Sequence, residues 1–273
     1  MPSRFLIGIL LAQSLAPAQD PTPAAKTAPI AVAGRAVEVS VSAVGDQAAR
    51  IAISPLDAGG SPHPLKDEPV LTRREWPAPA VRLRSIASPR KASVGRMFVT
   101  VSSDPLSIRV ERLDGRVVQD IRVHQENGAL AFSVGDAPIF GLGQGGPQFD
   151  RRGHEYTSGN THGGYRLALF GGRMPVPWLI SAAGWALFLH QPLGTIDLRG
   201  AEGRFTPHPA SPSVPLDFLV VSGEPSEILR AYAHLTGLPS MPPLWALGYI
   251  QSHRTLKDFS EVLSVAKTFR EKK

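Results

Sequence analysis

Residues 97–134 read MFVTVSSDPLSIRVERLDGRVVQDIRVHQENGALAFSV, and this stretch sets the fold class. Short runs at Met97–Val101, Leu106–Glu111, Val117–Val123 and Ala129–Val134 alternate apolar and polar residues, the period of a half-buried strand. Asp114-Gly115 and Asn127-Gly128 separate them, and such pairs favour tight hairpins because glycine reaches positive φ without a Cβ clash. Toward the N-terminus, Val37, Val39 and Val41 alternate with Glu38, Ser40 and Ser42, and further runs lie at Arg50–Ser54 and Val81–Ile86. Toward the C-terminus come Tyr165–Phe170, Trp185–His190 and Leu216–Val221. Many short strands with almost no helical period before residue 224 imply a β-sandwich of two large sheets. No repeat is evident, which argues against a propeller. The segment Pro55–Pro79 holds six prolines and little apolar period, so a long surface loop is expected there.

At Gly223-Glu224-Pro225-Ser226 the period changes. Pro225 suits a first helical turn, Ile228, Leu229, Tyr232 and Leu235 share one face, and Gly237 ends the run. Pro239, Pro242 and Pro243 follow as a stiff joint. Beyond it the pattern predicts a buried strand over Leu244–Ile250, a polar turn over Gln251–Arg254 and an amphipathic helix over Thr255–Glu271, with a capping box at Thr255 and Asp258. A strand followed by a helix opens an α/β unit, and a parallel strand needs neighbours on both sides. The expectation is therefore the first step of a larger catalytic domain whose remainder lies beyond Lys273. The domain division expected is 1–18 signal peptide, 19–35 linker, 36–222 β-sandwich, 223–240 linking helix and joint, and 241–273 an incomplete barrel start.

Composition narrows the function. The 273 residues carry a formal net charge of +6, with Arg outnumbering Lys 22 to 7. The arginines are scattered among apolar residues, as in Val81-Arg82-Leu83-Arg84, which fits solvated strand faces and not the basic patch of a nucleic-acid binder. Cysteine is absent, excluding disulfides and thiolate metal sites. Arg4, the apolar run Phe5–Ala12 and the small residues Ala16-Pro17-Ala18 have the three parts of a secretory signal, so cleavage after Ala18 and a secreted or periplasmic location are expected. The apolar run is far shorter than the roughly 20 residues a spanning helix needs, so no membrane attachment is expected after cleavage.

Gly141-Leu142-Gly143-Gln144-Gly145-Gly146 matches G-x-G-x-x-G, but Pro147-Gln148-Phe149-Asp150 follows with no helical period. A dinucleotide fingerprint must open a helix, so these glycines read as a tight loop passing close to another segment. The loop His154–Tyr165, HEYTSGNTHGGY, gathers the amide, hydroxyl, imidazole and aromatic groups that recognise sugar hydroxyls and ring faces, a mix also compatible with a plain polar loop. His154 and His162 lack a third ligand at a telling spacing, so no metal and no cofactor is assigned. Gln251, His253 and Arg254 follow the expected barrel strand, the end at which (β/α) barrels build their sites, although a solvated helix-capping turn would place them there too. No carboxylate pair stands out as an acid–base couple.

The run PLDFLVVSGEPSEILRAYAHLTGLPSMPPLWALGYIQSHRTLKDFSEVLSVAKTFREKK resembles the junction between sandwich and barrel in family-31 glycoside hydrolases, the α-glucosidase and α-xylosidase group. Phe140-Gly141-Leu142-Gly143 resembles that family's Y-G-L-G-E segment, with Gln144 where Glu is usual. The resemblance covers Phe140–Lys273 well and earlier strands in outline. It implies a galactose-mutarotase-like β-sandwich followed by the first strand and helix of a truncated (β/α)8 barrel. It also implies retaining hydrolysis of α-glycosidic bonds by two aspartates about 5–5.5 Å apart. Those aspartates sit on later barrel strands in the family, so the chain alone is expected to be inactive, with an α-linked oligosaccharide or glycoside as partner. Carried over by position, Asn160 and His162 fall on the loop that contacts the leaving-group sugar. Gln251, His253 and Arg254 match a Q-x-R segment, without the aromatic that follows it in many members. The alternatives are a non-catalytic carbohydrate-binding sandwich and an aldose epimerase, the latter needing a His/Glu set that the sequence does not assemble.

Overall fold

The computed structural model describes residues 27–63, 70–72, 76–144, 148–158, 175–191, 193–248 and 256–272. Its strands, in chain order, are β1 (Ala31–Val32), β2 (Arg35–Val44), β3 (Ala48–Pro55), β4 (Val81–Leu83), β5 (Arg90–Val94), β6 (Met97–Ser102), β7 (Ser107–Arg112) and β8 (Val117–His124). They continue as β9 (Ala129–Ser133), β10 (Ile139–Gly141), β11 (Glu155–Ser158), β12 (Trp178–Ser181), β13 (Trp185–Leu189), β14 (Gly194–Asp197), β15 (Glu202–Pro207) and β16 (Leu216–Ser222). Two helices close the chain, α1 (Pro225–Thr236) and α2 (Phe259–Lys272). The strands form two antiparallel sheets, one in the order β1-β2-β3-β16-β13-β12-β10 with β4 on β2, the other β11-β14-β15-β9-β8-β7-β6-β5. The β-sandwich expected from the alternating pattern is the fold.

The core between the sheets follows from that alternation. Val37, Val39 and Val41 point inward and are fully buried against Ile51, Ile53, Phe132, Phe205 and Phe218. The Asp114-Gly115 and Asn127-Gly128 turns join β7 to β8 and β8 to β9, pinning their registers at Arg109↔Asp120 and Val123↔Leu130. The sandwich starts earlier than the expected linker end. Ile30 and Val32 are buried, and β1 pairs with β2 through Ala31↔Ala36.

The outer faces of the two sheets differ. In the second sheet alternate residues of β6 and β15 reach solvent, and ion pairs such as Arg109 with Glu111 and Asp120, and Arg199 with Asp197 and Glu155, cross its surface. In the first sheet β3, β13 and β16 are buried on both faces. The second of those faces is covered by α1, whose Ile228 and Leu235 pack with Trp178, Phe188 and Leu219. Part of the proline-rich segment expected to be a surface loop joins this cover: Leu71 is buried, and the Thr72 amide donates to the Leu235 carbonyl at 2.9 Å.

The C-terminal stretch departs from its expected local form. Leu244–Leu247 makes one turn of 3-10 helix, not a strand, and none of its residues is buried. Backbone donors of a strand need a partner ladder, and among the described residues no strand pairs here; local i→i+3 bonds such as Ala246 N to Pro243 O serve instead. The expected helix is present as α2, beginning four residues later than Thr255. Its start is set by Asp258, whose carboxylate accepts the Glu261 amide at 3.0 Å while Glu261 accepts the Lys257 amide at 2.7 Å.

Candidate functional site

Asn160, His162, Gln251, His253 and Arg254, and the strand expected at Tyr165–Phe170, lie outside the described residues. The structure does fix what flanks the first two. β11 ends at Ser158 on an edge of the second sheet, and residues 175–177 precede β12 near an edge of the first sheet.

Beside residues 175–177 lies the glycine-rich segment. Gly141 pairs with Leu179, and the Leu142 amide donates to the Trp178 carbonyl at 2.8 Å. Gly141 has φ 105°, and a Cβ there would sit 2.1 Å from the Trp178 carbonyl oxygen, so only glycine fits this approach. Arg151, buried, donates from Nε to the Gly141 carbonyl at 2.9 Å and from Nη2 to the Gly143 carbonyl at 3.2 Å. A phosphate cradle presents N–H groups to its ligand; here the carbonyls are presented, to a cation. Asp150 completes the turn by accepting the Ile139 amide at 3.1 Å and the Arg152 guanidinium at 2.6 Å. The Arg152 hydrogen bonds, opposed by partial burial and helped by the Ile139 and Arg152 amides, lower the Asp150 carboxyl to about 2.

A second cluster lies on the helix-covered face of the first sheet. Asp217 of β16 accepts Arg50 Nε and Nη2, each at 2.8 Å, and faces His190 Nδ1 at 2.8 Å. Burial opposes the Asp217 charge most strongly, yet the hydrogen bonds from His190 and Arg50 and the Arg50 charge overcome it, and its carboxyl lies below the ordinary value. With that carboxylate ionised, Nδ1 carries the proton and donates. The Arg50 guanidinium sits 3.8 Å from the Trp76 ring centre, and the His190 ring stacks on Phe188 at 5.8 Å. Trp178 and Tyr232 extend the aromatic group, 4.6 Å apart. The cluster ties directly to residues 175–177, because the Leu189 amide donates to the Pro177 carbonyl and the His190 amide to the Asp217 carbonyl, both at 2.9 Å.

Chemically, these groups hold and do not react. Asp150 and Asp217 are each engaged by a guanidinium group and by further donors, which ties up their carboxylates as structural acceptors. Among the described residues no group of three His, Cys, Asp or Glu could hold a metal, and no helix is long and apolar enough to cross a membrane. The scaffold residues Arg50, Arg151, His190 and Asp217 were not picked out from sequence. A charge set inside an apolar strand, as in Leu216-Asp217-Phe218-Leu219-Val220, was the available signal, since such a charge must find a partner.

No family model matches the chain. An alpha-xylosidase of Saccharolobus solfataricus is 26% identical over 207 residues, 66% of this chain and 27% of that protein. An alpha-xylosidase of Emericella nidulans is 30% identical over 134 residues, 48% of this chain and 17% of that protein. A Flavobacterium johnsoniae GH31 dextranase, solved in complex with isomaltotriose, superposes with a TM-score of 0.69 at 16% identity over 86% of this chain and 30% of that one. The chain thus spans about a quarter of the first relative's length (27%) and less of the second's (17%). In sequence the chain is similar to alpha-xylosidases, and in fold it is similar to part of a GH31 dextranase.

Proposed function

We propose that this chain is the N-terminal portion of an exported, retaining α-glycosidase, with its sandwich helping to bind an α-linked oligosaccharide. The observation that carries this is the match to an alpha-xylosidase over 207 residues, running through most of the sandwich sequence. In this proposal residues 1–18 direct export and are removed. Asn160 and His162 contact the leaving-group sugar, and Gln251, His253 and Arg254 line the start of a (β/α)8 barrel. The nucleophile and acid/base aspartates are supplied by later barrel strands. They form and hydrolyse a glycosyl-enzyme intermediate, so that the anomeric configuration is retained. The buried Arg50–Asp217–His190 group and the Arg151-braced turn stiffen the sandwich beside residues 175–177.

The test compares a longer protein that carries this chain followed by a barrel with residues 1–273 alone, using aryl α-xyloside and α-glucoside. Turnover with retention by the longer protein, and none by the chain alone, is the expected result. Replacing His253 and Arg254 with Ala in the longer protein should change the ratio of kcat/KM between the two glycosides by about tenfold. A β-glycoside-only activity, or genuine turnover by residues 1–273, would overturn the proposal.

A further inference from the structure

At the opposite end of the sandwich from residues 175–177, where β16 runs into α1, the hairpin turns of both sheets line a half-open cavity of about 360 Å³. That volume lies in the lower part of the roughly 300–1,000 Å³ range of small-molecule sites. Its polar lining comes from Asp46, Gln47, Arg96, Arg112, Asp114 and Glu227, and Leu113 contributes an exposed apolar rim. The walls are braced across the two sheets. The Arg96 amide donates to the Asp46 carbonyl at 2.7 Å, and the Ser222 amide donates to the Gln47 carbonyl at 2.9 Å. Arg112 Nε donates to the Ser222 hydroxyl at 2.9 Å and its Nη2 to the Gly184 carbonyl at 3.3 Å. Asp114 is held by the Arg116 amide and Glu227 by the Glu224 amide, both at 2.9 Å. Neither the Arg96 guanidinium nor the Asp46 carboxylate makes a side-chain hydrogen bond with the described residues, and Arg96 acts on Glu227 through its charge.

The ligand class follows from this balance. Three carboxylates would repel an anion, two guanidinium groups would repel a metal ion, and neither class suits a cavity that mixes them. A neutral molecule with many hydroxyls, each both donor and acceptor, can satisfy guanidinium, amide and carboxylate together. We propose that this cavity is a second, non-catalytic saccharide site, taking the end of a neutral oligosaccharide at a distance from the loop-bearing end. The choice of a saccharide among neutral polyols rests on the glycosidase reading above.

The full 273-residue chain, its fold checked by circular dichroism, is titrated calorimetrically with isomaltotriose, maltotriose and trigalacturonate. A neutral trisaccharide should bind with a Kd on the order of 1 mM. Arg96→Ala and Asp46→Ala, both at exposed positions, should each weaken binding at least tenfold. Absence of neutral-saccharide binding by the folded chain overturns the site. So does retention of binding in the Arg96 and Asp46 variants, because the saccharide would then sit elsewhere. Tighter binding of the uronate overturns the neutral-ligand assignment. Hydrolysis by the longer protein should be unaffected by Arg96→Ala, so the glycosidase proposal and the second site stand or fall separately.

Discussion

Asp217 illustrates how a charge can be kept inside a β-sandwich. Its carboxylate and the Arg50 guanidinium are both buried, so each would be costly alone and the pair is retained only because three short hydrogen bonds satisfy it. Asp217→Ala should therefore destabilise the chain by about 3–5 kcal/mol in urea denaturation, because it strands the Arg50 charge. In the double variant with Arg50→Ala the two costs should fall short of additive by about 0.5–3 kcal/mol, since they remove one interaction; strict additivity would show that the pair does not act as a unit. The same carboxylates set the acid limit. Asp217 and Asp150 both have folded values below their unfolded ones, Asp150 at about 2. Their contribution is complete above the unfolded value, roughly pH 4, and is lost as pH falls through the folded values. Asp150→Asn should flatten part of the stability profile between about pH 4 and pH 2 and leave the neutral region's slope unchanged. A profile that is flat in the wild type over that range would contradict both assignments. Gly141 adds a steric case: Gly141→Ala combines positive φ with a clash against the Trp178 carbonyl, whereas Gly115→Ala has the positive φ and open space. Gly141→Ala should cost several kcal/mol and Gly115→Ala about 1 kcal/mol, as measured by thermal unfolding.

Most elements with a long enough period were legible in the sequence, although β5 and β15, of five and six residues, were not read. Strands β2, β3, β6 to β9, β13 and β16 follow apolar runs of five residues or more, and α1 follows its stripe and Pro225. The strands β10, β11, β12 and β14 have three or four residues and could not express a period before ending. Leu244–Leu247 failed for the opposite reason. Its apolar run was read as burial on both faces, but burial is a tertiary property, and what the local sequence fixes is the Pro243 entry into a tight turn. The candidate site was legible only as chemistry. Loop composition and resemblance named five residues, all outside the described residues, whereas the Arg50–Asp217–His190 and Arg151 braces depend on strand registers that no single run contains. The helix α1 shows this coupling most simply. Ile228 is fully buried against the aromatic group that also carries Trp178 and Phe188. Ile228→Ala should cost about 2–5 kcal/mol and raise the exchange rate of amides in β13 and β16 under native conditions, because the helix is the cover of those strands. Unchanged exchange in these strands would mean that their second face is protected by something other than α1.

For the molecule as a whole, the distribution of apolar surface is uneven. The sandwich closes on its own core, and α1 seals the outer face of one sheet. Past Gly237 the pattern reverses: Leu238, Met241, Leu244, Trp245 and Leu247 are all exposed, and Phe259, Val262 and Leu263 on α2 are exposed as well. Scattered exposed apolar residues are ordinary, but a run of this density along one segment is a liability for association. It contributes no buried side chain from the 3-10 turn or from α2 to the core. Folding of the sandwich should therefore not depend on it. Removing residues after Ser240 should leave the thermal midpoint of the sandwich within about 1 °C, since no core contact is lost, while raising the concentration at which the protein stays monomeric in light scattering. A fall of several degrees would show that the segment stabilises the sandwich despite its exposure. Unchanged self-association would show that the liability lies on the sandwich surface and not in this tail.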